Sequence, residues 1–388
     1  MTSLTQRTLL DISQPIHTYY DLDIFNNDSI GNVNPVPLRF TEVRNNPFLD
    51  CPENYYMSVV RFQIQTGDSL PVFVPQVQLG QTDPNLLIYS VTLTYKTYVK
   101  QSFVYYITDD LSEPLPQPPL DFQDLTSAYY FISTYQAWIE MVNNTFRTCF
   151  NELNALVVAG GDVLPTSYAP FMEFDPNLLV AILDCDVLGY DRNVVNPIGI
   201  YMNSPMFNLF NNFPAIIQSY TNTLFGKNVK LTIFNNNNTN LLNLPAYNCI
   251  QSYQEGSTVA MMNPIASIVF TTALLPVVPS NVAVPRVFNS NQNLTNTGSG
   301  NNANIAPVIS DFVVPIDANN RYKPNIVYTS TGEYRLFNLY GNSPISAIEI
   351  TAYWKDMFGG LHVIYLNSGC GANLKLLFRR KDYNNIDL

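Results

Sequence analysis

Ser346-Ala-Ile-Glu-Ile-Thr-Ala-Tyr-Trp-Lys-Asp-Met-Phe-Gly-Gly360 carries the clearest structural grammar in the chain. Ile348, Ile350, Ala352 and Trp354 alternate with Glu349, Thr351 and Tyr353. A period of two over this length predicts a half-buried antiparallel strand, and the glycines of Lys355–Gly360 suit a hairpin loop. Asn367–Ala372 (NSGCGA) repeats the loop chemistry before another strand near 373–379. The same pattern predicts strands at 307–315, 325–339 and 361–366, and upstream at Ile265–Leu275. Two more precede them. From Tyr56, the residues Tyr56, Ser58, Val60, Phe62 and Ile64 share one face opposite Arg61 and Gln63, and Leu87–Lys96 alternates again. About eight strands of this kind make an all-β protein, a single antiparallel jelly-roll β-sandwich.

Working outward, the middle of the chain breaks this grammar. Glu113-Pro-Leu-Pro-Gln-Pro-Pro119 is unsuited to a helix or a central strand and reads as a stiff connector. After it, Ala128, Ile132, Tyr135, Ile139, Val142, Phe146, Phe150 and Leu153 recur at spacings of three and four. That predicts one long helix over Leu125–Leu156, about 45 Å in length, its aromatic stripe facing a core. Asp124, Thr126 and Ser127 are its N-cap candidates. Charge changes in the same region. Residues 105–258 hold roughly fourteen Asp and Glu against Arg147, Arg192, Lys227 and Lys230, a balance of about −10 out of a total of −11. A composition break that returns to its starting character reads as one domain inserted in another. The expected organisation is an extended N-terminal arm over 1–50, a roll built from 51–104 plus 259–388, and a mixed α+β insertion domain over 105–258. Asn289–Asn304, of low complexity, reads as an exposed mobile loop.

The whole chain has 388 residues, 46% of them hydrophobic and only 13% charged, with 25 Tyr, 23 Phe and 27 Pro. A surface poor in charge and rich in aromatics suits permanent neighbours, so an assembled protein is expected. The acidic balance argues against a general nucleic-acid binder. The start lacks a secretion signal, and no apolar run has the length of a membrane span. Cysteines 51, 149, 185, 249 and 370 are odd in number and far apart. They suggest no disulfide framework and point to synthesis in a reducing compartment. The sequons Asn143-Asn144-Thr145 and Asn237-Asn238-Thr239 are expected by chance in a chain this rich in Asn.

Candidate chemistry is sparse. His17 and His362 are the two histidines, too few for a multi-His metal centre, and neither a phosphate-binding glycine loop nor a nucleophile elbow is present. Cys370 lies between two glycines, eight residues after His362, and the two could meet if their strands were adjacent. The bland reading, a hairpin turn and a strand residue, outweighs that. The pairs Glu173/Asp175, Asp184/Asp186 and Asp109/Asp110 could bind Ca²⁺ or serve as glycosidase acids. Acids two apart are more often a solvated strand or loop, and that is the expectation. Lys375, Arg379, Arg380 and Lys381 form the one basic cluster; pairing with neighbouring subunits or solvation is the expectation, and a face toward packaged nucleic acid the alternative. No catalytic, cofactor-binding or metal-binding residue is assigned.

Several segments resemble a known family. They are Thr331-Gly-Glu-Tyr-Arg-Leu-Phe-Asn-Leu-Tyr-Gly-Asn-Ser-Pro344, Tyr353-Trp-Lys-Asp356 and Leu377-Phe-Arg-Arg-Lys-Asp382. Ser267–Pro279, Ser133–Asn144 and Asn203–Pro214 belong with them. Together they are similar to the penton, or minor capsid, proteins of Sputnik-like virophages and polinton-like viruses, from about residue 55 onward. The resemblance implies a structural protein, five copies of which form a homopentamer at each vertex of an icosahedral double-stranded DNA virus capsid. It implies a single jelly roll with the inserted domain projecting outward, and no enzymatic role or cofactor. The partners implied are major capsid protein capsomers, a minor capsid protein under the vertex, and a host or helper-virus receptor met by the insert. The virion, assembled from protein made in host cytoplasm, is the implied location. Two other readings compete: a double jelly-roll major capsid protein, disfavoured by the helix and acidic block, and a carbohydrate-binding or carbohydrate-cleaving β-sandwich. The latter needs exposed aromatics beside a carboxylate pair, whereas Trp138 and Trp354 fall at core-phase positions.

Overall fold

The computed structural model describes residues 17–27, 36–65, 89–107, 134–218, 226–235, 240–243, 247–263, 265–278, 286–288, 294–296, 307–314, 325–330, 335–356 and 361–381. The chain forms two compact units. One comprises Met1–Ser69, Ser267–Val314 and Lys323–Leu388, the other Leu70–Ala266 and Pro315–Tyr322.

The first unit is a two-sheet antiparallel sandwich. Its eight main strands, in chain order, are His17–Phe25, Arg39–Val43, Tyr55–Gln65, Ile265–Thr271, Val308–Phe312, Asn325–Thr329, Ala347–Asp356 and Gly371–Arg380. One sheet runs first, eighth, third, sixth; the other runs second, seventh, fourth, fifth. Each strand of the first half thus lies beside a partner from the second half, as when one long hairpin is rolled over on itself. Short strands extend two positions: Phe337–Asn338 continues along Tyr55–Gln65, and Leu361–Val363 continues along Ala347–Asp356. The sheets meet through aromatics. The Phe62 ring lies edge-on to Phe270 at 4.9 Å and tilted to Phe312 at 5.8 Å. Such a cluster buries about 150–250 Å² per ring and favours this edge-to-face geometry. Ile348, Ile350, Ala352 and Trp354 are all buried, as their alternation predicts.

The third strand departs from the expected phase. Tyr55, Met57 and Val59 are buried, and then Phe62 and Ile64, so the inward face changes parity in mid-strand. The register with the eighth strand explains it. Leu376 faces Val59 and Lys375 faces Arg61, leaving Val60 as an extra residue in a β-bulge. One inserted residue flips the side-chain phase on either side of it. The expected single face of Tyr56, Ser58, Val60, Phe62 and Ile64 therefore holds only from Phe62 onward.

Two of the expected domain limits also differ. Within 1–50, His17–Phe25 pairs over its whole length with Gly371–Arg380, and Arg39–Val43 pairs with Ala347–Thr351. These segments are integral strands rather than an arm. They escape sequence reading because the first is an edge strand in which only Leu22 is buried. The Leu87–Lys96 segment, of which Ser90–Tyr95 is the strand, lies in the second unit rather than the sandwich. Its polar face is not solvated either. Ser90 and Thr92 are buried, Ser90 accepting from Gln101 Nε2 (2.9 Å) and Thr92 Oγ1 donating to the Gly226 carbonyl (3.2 Å). Gly226 has φ +92°, and a Cβ there would fall 2.3 Å from Gln101, so the close approach requires glycine.

The second unit is α+β. A five-stranded sheet runs Ala215–Ile217, Val229–Leu231, Gly199–Met202, Ser90–Tyr95, Tyr98–Phe103. A four-stranded sheet runs Asn240–Asn243, Asn248–Tyr253, Val180–Asp186, Phe171–Asp175. The long helix, Tyr135–Ala159, packs against both. At 25 residues it is about 38 Å long. It begins later than expected because Thr134 caps it, accepting from the Ala137 amide at 3.0 Å. The candidates Asp124, Thr126 and Ser127 lie outside the described residues. It ends in a Schellman turn: the amides of Gly161 and Asp162 bond the carbonyls of Val158 and Val157, with Gly161 at φ +80°. Tyr135, Ile139, Val142, Phe146, Phe150 and Leu153 are all buried, so the aromatic stripe is core. Trp138 stands edge-on to Tyr89 at 5.4 Å. The expected mobile loop at Asn289–Asn304 contains a short strand, Leu294–Asn296, paired with Arg286–Phe288; the rest of it lies outside the described residues.

Candidate assembly surface

The outer face of the sheet containing the first and last strands is a grid of cross-strand pairs. Tyr19, Asp21, Asp23 and Phe25 stand opposite Leu377, Lys375, Asn373 and Gly371, with Arg61, Gln63 and Gln65 in the next column. Its charges are satisfied within the face. Asp21 takes Lys375 at 3.2 Å and Arg61 at 3.3 Å; Asn373 donates to Asp23 at 2.6 Å and accepts from Arg61 at 2.8 Å. Each pair is half-exposed and contributes at most about 1 kcal/mol, but together they leave the face neutral and ordered. Tyr19 and Phe25 are among the exposed large apolar side chains. Phe25 covers Gly371 at the rim of an open groove of about 270 Å³, lined also by Asp23, Gln63, Gln65 and Asn373. These aromatics lie within the segment read as an arm. Their signal was the alternation of His17–Phe25, hidden by its polar partners.

The basic cluster spreads along the last strand instead of converging. Lys375 is paired with Asp21, and its ammonium sits 6.0 Å from the Tyr19 ring. Lys381 donates to the Leu339 carbonyl at 3.2 Å and lies 5.2 Å from the Tyr56 ring. Arg379 and Arg380 are half-buried opposite Tyr56 and Tyr55.

The candidate nucleophile pair is not assembled. His362 belongs to the sheet of Ala347–Asp356, opposite Trp354, while Cys370 precedes the last strand of the other sheet. Cys370 is a turn residue, its amide bonded to Asn367 and its carbonyl to Asn26.

The carboxylates behave unequally. Asp109 and Asp110 lie outside the described residues. Glu173 is exposed, and Asp175 accepts from the amides of Asn177 and Leu178, closing its own turn. Asp184 and Asp186 contradict the solvated reading, for both are buried. Asp186 caps the short helix Val187–Tyr190, accepting from Leu188 at 3.1 Å. Asp184 accepts from the Cys249 thiol at 3.6 Å, and its Oδ2 has no hydrogen-bond partner. Burial pushes its carboxyl up to about 6; a Gln251 hydrogen bond opposes the shift and the Glu173 charge adds to it. Cys249 is likewise raised to about 12, by burial and then by the Asp184 charge. Among the described residues no group of three or more His, Cys, Asp or Glu could hold a metal ion, and no helix is long and apolar enough to cross a membrane.

Solved structures share this architecture. A chain of the Sputnik virophage, from its cryo-EM structure at 3.5 Å, matches with a TM-score of 0.74 and 27% identity, over 96% of this chain and 100% of that one. The mavirus penton protein crystal structure matches with a TM-score of 0.59 over 94% of this chain and 99% of that one; at 16% identity it speaks for the fold alone. The sandwich is therefore that of a virus capsid protein. The chain belongs to the family of the Sputnik minor capsid protein V18/19, whose family model matches residues 18–380. Structural protein V19 of Sputnik virophage is 28% identical over 213 residues, 54% of this chain and 93% of that protein. The uncharacterized protein V18 of the same virophage is 33% identical over 159 residues, 39% of this chain and 93% of that protein. The protein is a minor capsid protein of virophage type, a structural component of the virion that works in an oligomeric assembly, and it is not an enzyme.

Proposed function

We propose that this protein is a penton: five copies, each a single jelly roll, close a ring at every five-fold vertex of an icosahedral double-stranded DNA virus shell. The observation that carries this reading is the strand order of the sandwich, with the second unit entering between its third and fourth strands. A head-to-tail contact repeated by closed cyclic symmetry needs only one such surface pair. The neutral outer face with Tyr19 and Phe25 has the character of a contact surface. Because Lys375 is neutralised by Asp21, the subunit-contact role suits the Lys375, Arg379, Arg380 and Lys381 strand better than a genome-facing one. Major capsid protein capsomers adjoin the ring, and a minor capsid protein lies under it.

The second unit is the displayed domain, facing away from the genome and available to a host or helper-virus receptor. Moving its start to Leu70 adds Asp83, Lys96 and Lys100 to the count, giving a balance of about −9. Five copies bring about 45 negative charges to one vertex, which repels packaged polyanion and costs little in solvent. The chain is synthesised in host cytoplasm. Native mass measurement of the purified assembly tests the reading. Five copies are expected; a stable trimer would point to a double jelly-roll capsomer, and a monomer alone, at all concentrations and in the particle, would end the penton reading.

A further inference from the structure

The four-stranded sheet of the second unit contains a buried acid whose one oxygen, Oδ2, has no hydrogen-bond partner. On its outer face Glu173 and Asp175 come from the edge strand, Asp184 and Asp186 from the next, and Cys249 and Gln251 from the third. Asp175 and Asp186 each close a turn through backbone amides. Asp184 does neither. It is 1% exposed, one oxygen meets only a thiol and the Gln251 amide, and the other meets no donor. Glu173 sits diagonally across the strand pair, Asp184 being opposite Phe171 and Glu173 opposite Ile182. Like charges so placed push the two strands apart. Tyr247, stacked on Tyr168 at 4.0 Å, is the aromatic neighbour within electrostatic reach of both Asp184 and Asp186. Among the described residues, no Lys or Arg is one of the groups acting on Asp184.

We infer that Phe171–Asp175 is a proton-controlled edge strand, held closed when Asp184 is protonated and loosened when Asp184 and Glu173 are both ionised. The strand has one ladder, to Val180–Asp186, and its inner face packs on the long helix, with Met172 buried in the core and the Phe174 ring 5.1 Å from Tyr135. Asn143 of the long helix donates to the Met172 carbonyl at 2.9 Å and accepts from the Met172 amide at 2.7 Å. Detaching the strand hydrates Asp184 and removes the Glu173 neighbour, so the opened state favours the charged acid. The sign follows. The closed state holds the proton more firmly, up to about 6 against an ordinary 3.8, so closure is favoured as pH falls through 6. The advantage is complete below the ordinary value and absent well above 6. Between pH 7.5 and pH 5 it amounts to roughly tenfold in the closing equilibrium. The device turns the acidic unit from a looser to a firmer surface in mildly acidic surroundings.

Native-state hydrogen exchange of the full chain tests this, with amide rates corrected for intrinsic pH dependence. In the wild type, protection of Phe171–Asp175 should rise about tenfold from pH 7.5 to pH 5. In Asp184→Asn it should be high and the same at both values. Equal wild-type protection at the two pH values, or an unchanged response in Asp184→Asn, overturns the inference. Glu173→Gln, an exposed change that leaves the core intact, covers the case in which Asp184→Asn fails to fold. It should move the midpoint of the wild-type transition to lower pH, and an unmoved midpoint counts against the mechanism.

Discussion

Glu349 is a carboxylate removed from water and supplied with three donors. Arg39 Nε bonds one oxygen at 2.9 Å, Thr351 Oγ1 the same oxygen at 2.8 Å, and the Ala273 amide the other at 2.9 Å. Through it the seventh strand holds the second strand and the loop leaving the fourth. Glu349→Ala leaves the Ala273 amide without its acceptor and should cost about 3 kcal/mol in urea unfolding. Arg39 is half-exposed, so Arg39→Ala should cost no more than about 1 kcal/mol. Equal losses would mean that the ion pair, rather than the backbone anchor, is what matters. Cys370 is the contrasting residue. Its amide and carbonyl bonds to Asn367 and Asn26 are kept by serine, which is also nearly isosteric, so Cys370→Ser should change unfolding stability by under about 0.5 kcal/mol and leave assembly mass unchanged.

At the scale of elements, the same physics explains what the sequence disclosed and what it hid. Strand Ala347–Asp356 and the helix stripe were legible because each presents one continuous periodic face to one core. Tyr55–Gln65 was legible as a strand but not in phase, since a bulge is set by the partner's register and leaves no local mark. Val60 therefore offers a sharp test. Deleting it would join Val59 to Arg61 while leaving their partners Leu376 and Lys375 unchanged, so Tyr55, Met57, Val59, Phe62 and Ile64 would form one regular inward face, and the variant is expected to keep cooperative unfolding and near-ultraviolet dichroism. Loss of cooperativity would show that the bulge does more than absorb the extra residue. The buried Asp184 and Asp186 were illegible for a similar reason: acids two apart look solvated unless the covering segments are known. Asn143 belongs at this scale too. Its sequon is a chance match, and the side chain clamps Met172, so Asn143→Ala should cost about 1–3 kcal/mol by stranding two backbone groups. Asn143→Asp, which keeps the acceptor only, should fall between.

At the scale of the whole molecule, the question is whether the two units depend on each other for folding. The large apolar cluster of the second unit runs from Tyr89 to Met262 and draws every member from within that unit. The sandwich has its own core of Met57, Phe62, Ile64, Phe270, Ile348, Ile350, Leu374 and Phe378, with its eight strands supplied by its own three segments save for Ile265 and Ala266 at the start of the fourth. The main segment of the second unit enters between the third and fourth strands, which lie in different sheets and do not pair with each other. Removing residues 70–264 therefore takes no strand residue from the sandwich. Replacing residues 70–264 by a flexible Gly/Ser linker should leave a protein that folds cooperatively as a β-sandwich, because closing a longer or shorter loop changes the free energy only slowly with its length. The excised chain should also retain the ring-forming property proposed for the sandwich, since the Tyr19–Phe25 face is untouched. Circular dichroism with thermal melting reads the first expectation and native mass the second. A folded but strictly monomeric sandwich, where the full chain is pentameric, would move the ring contact into the acidic unit. An unfolded product would show that the roll needs its insert to close the path between its third and fourth strands.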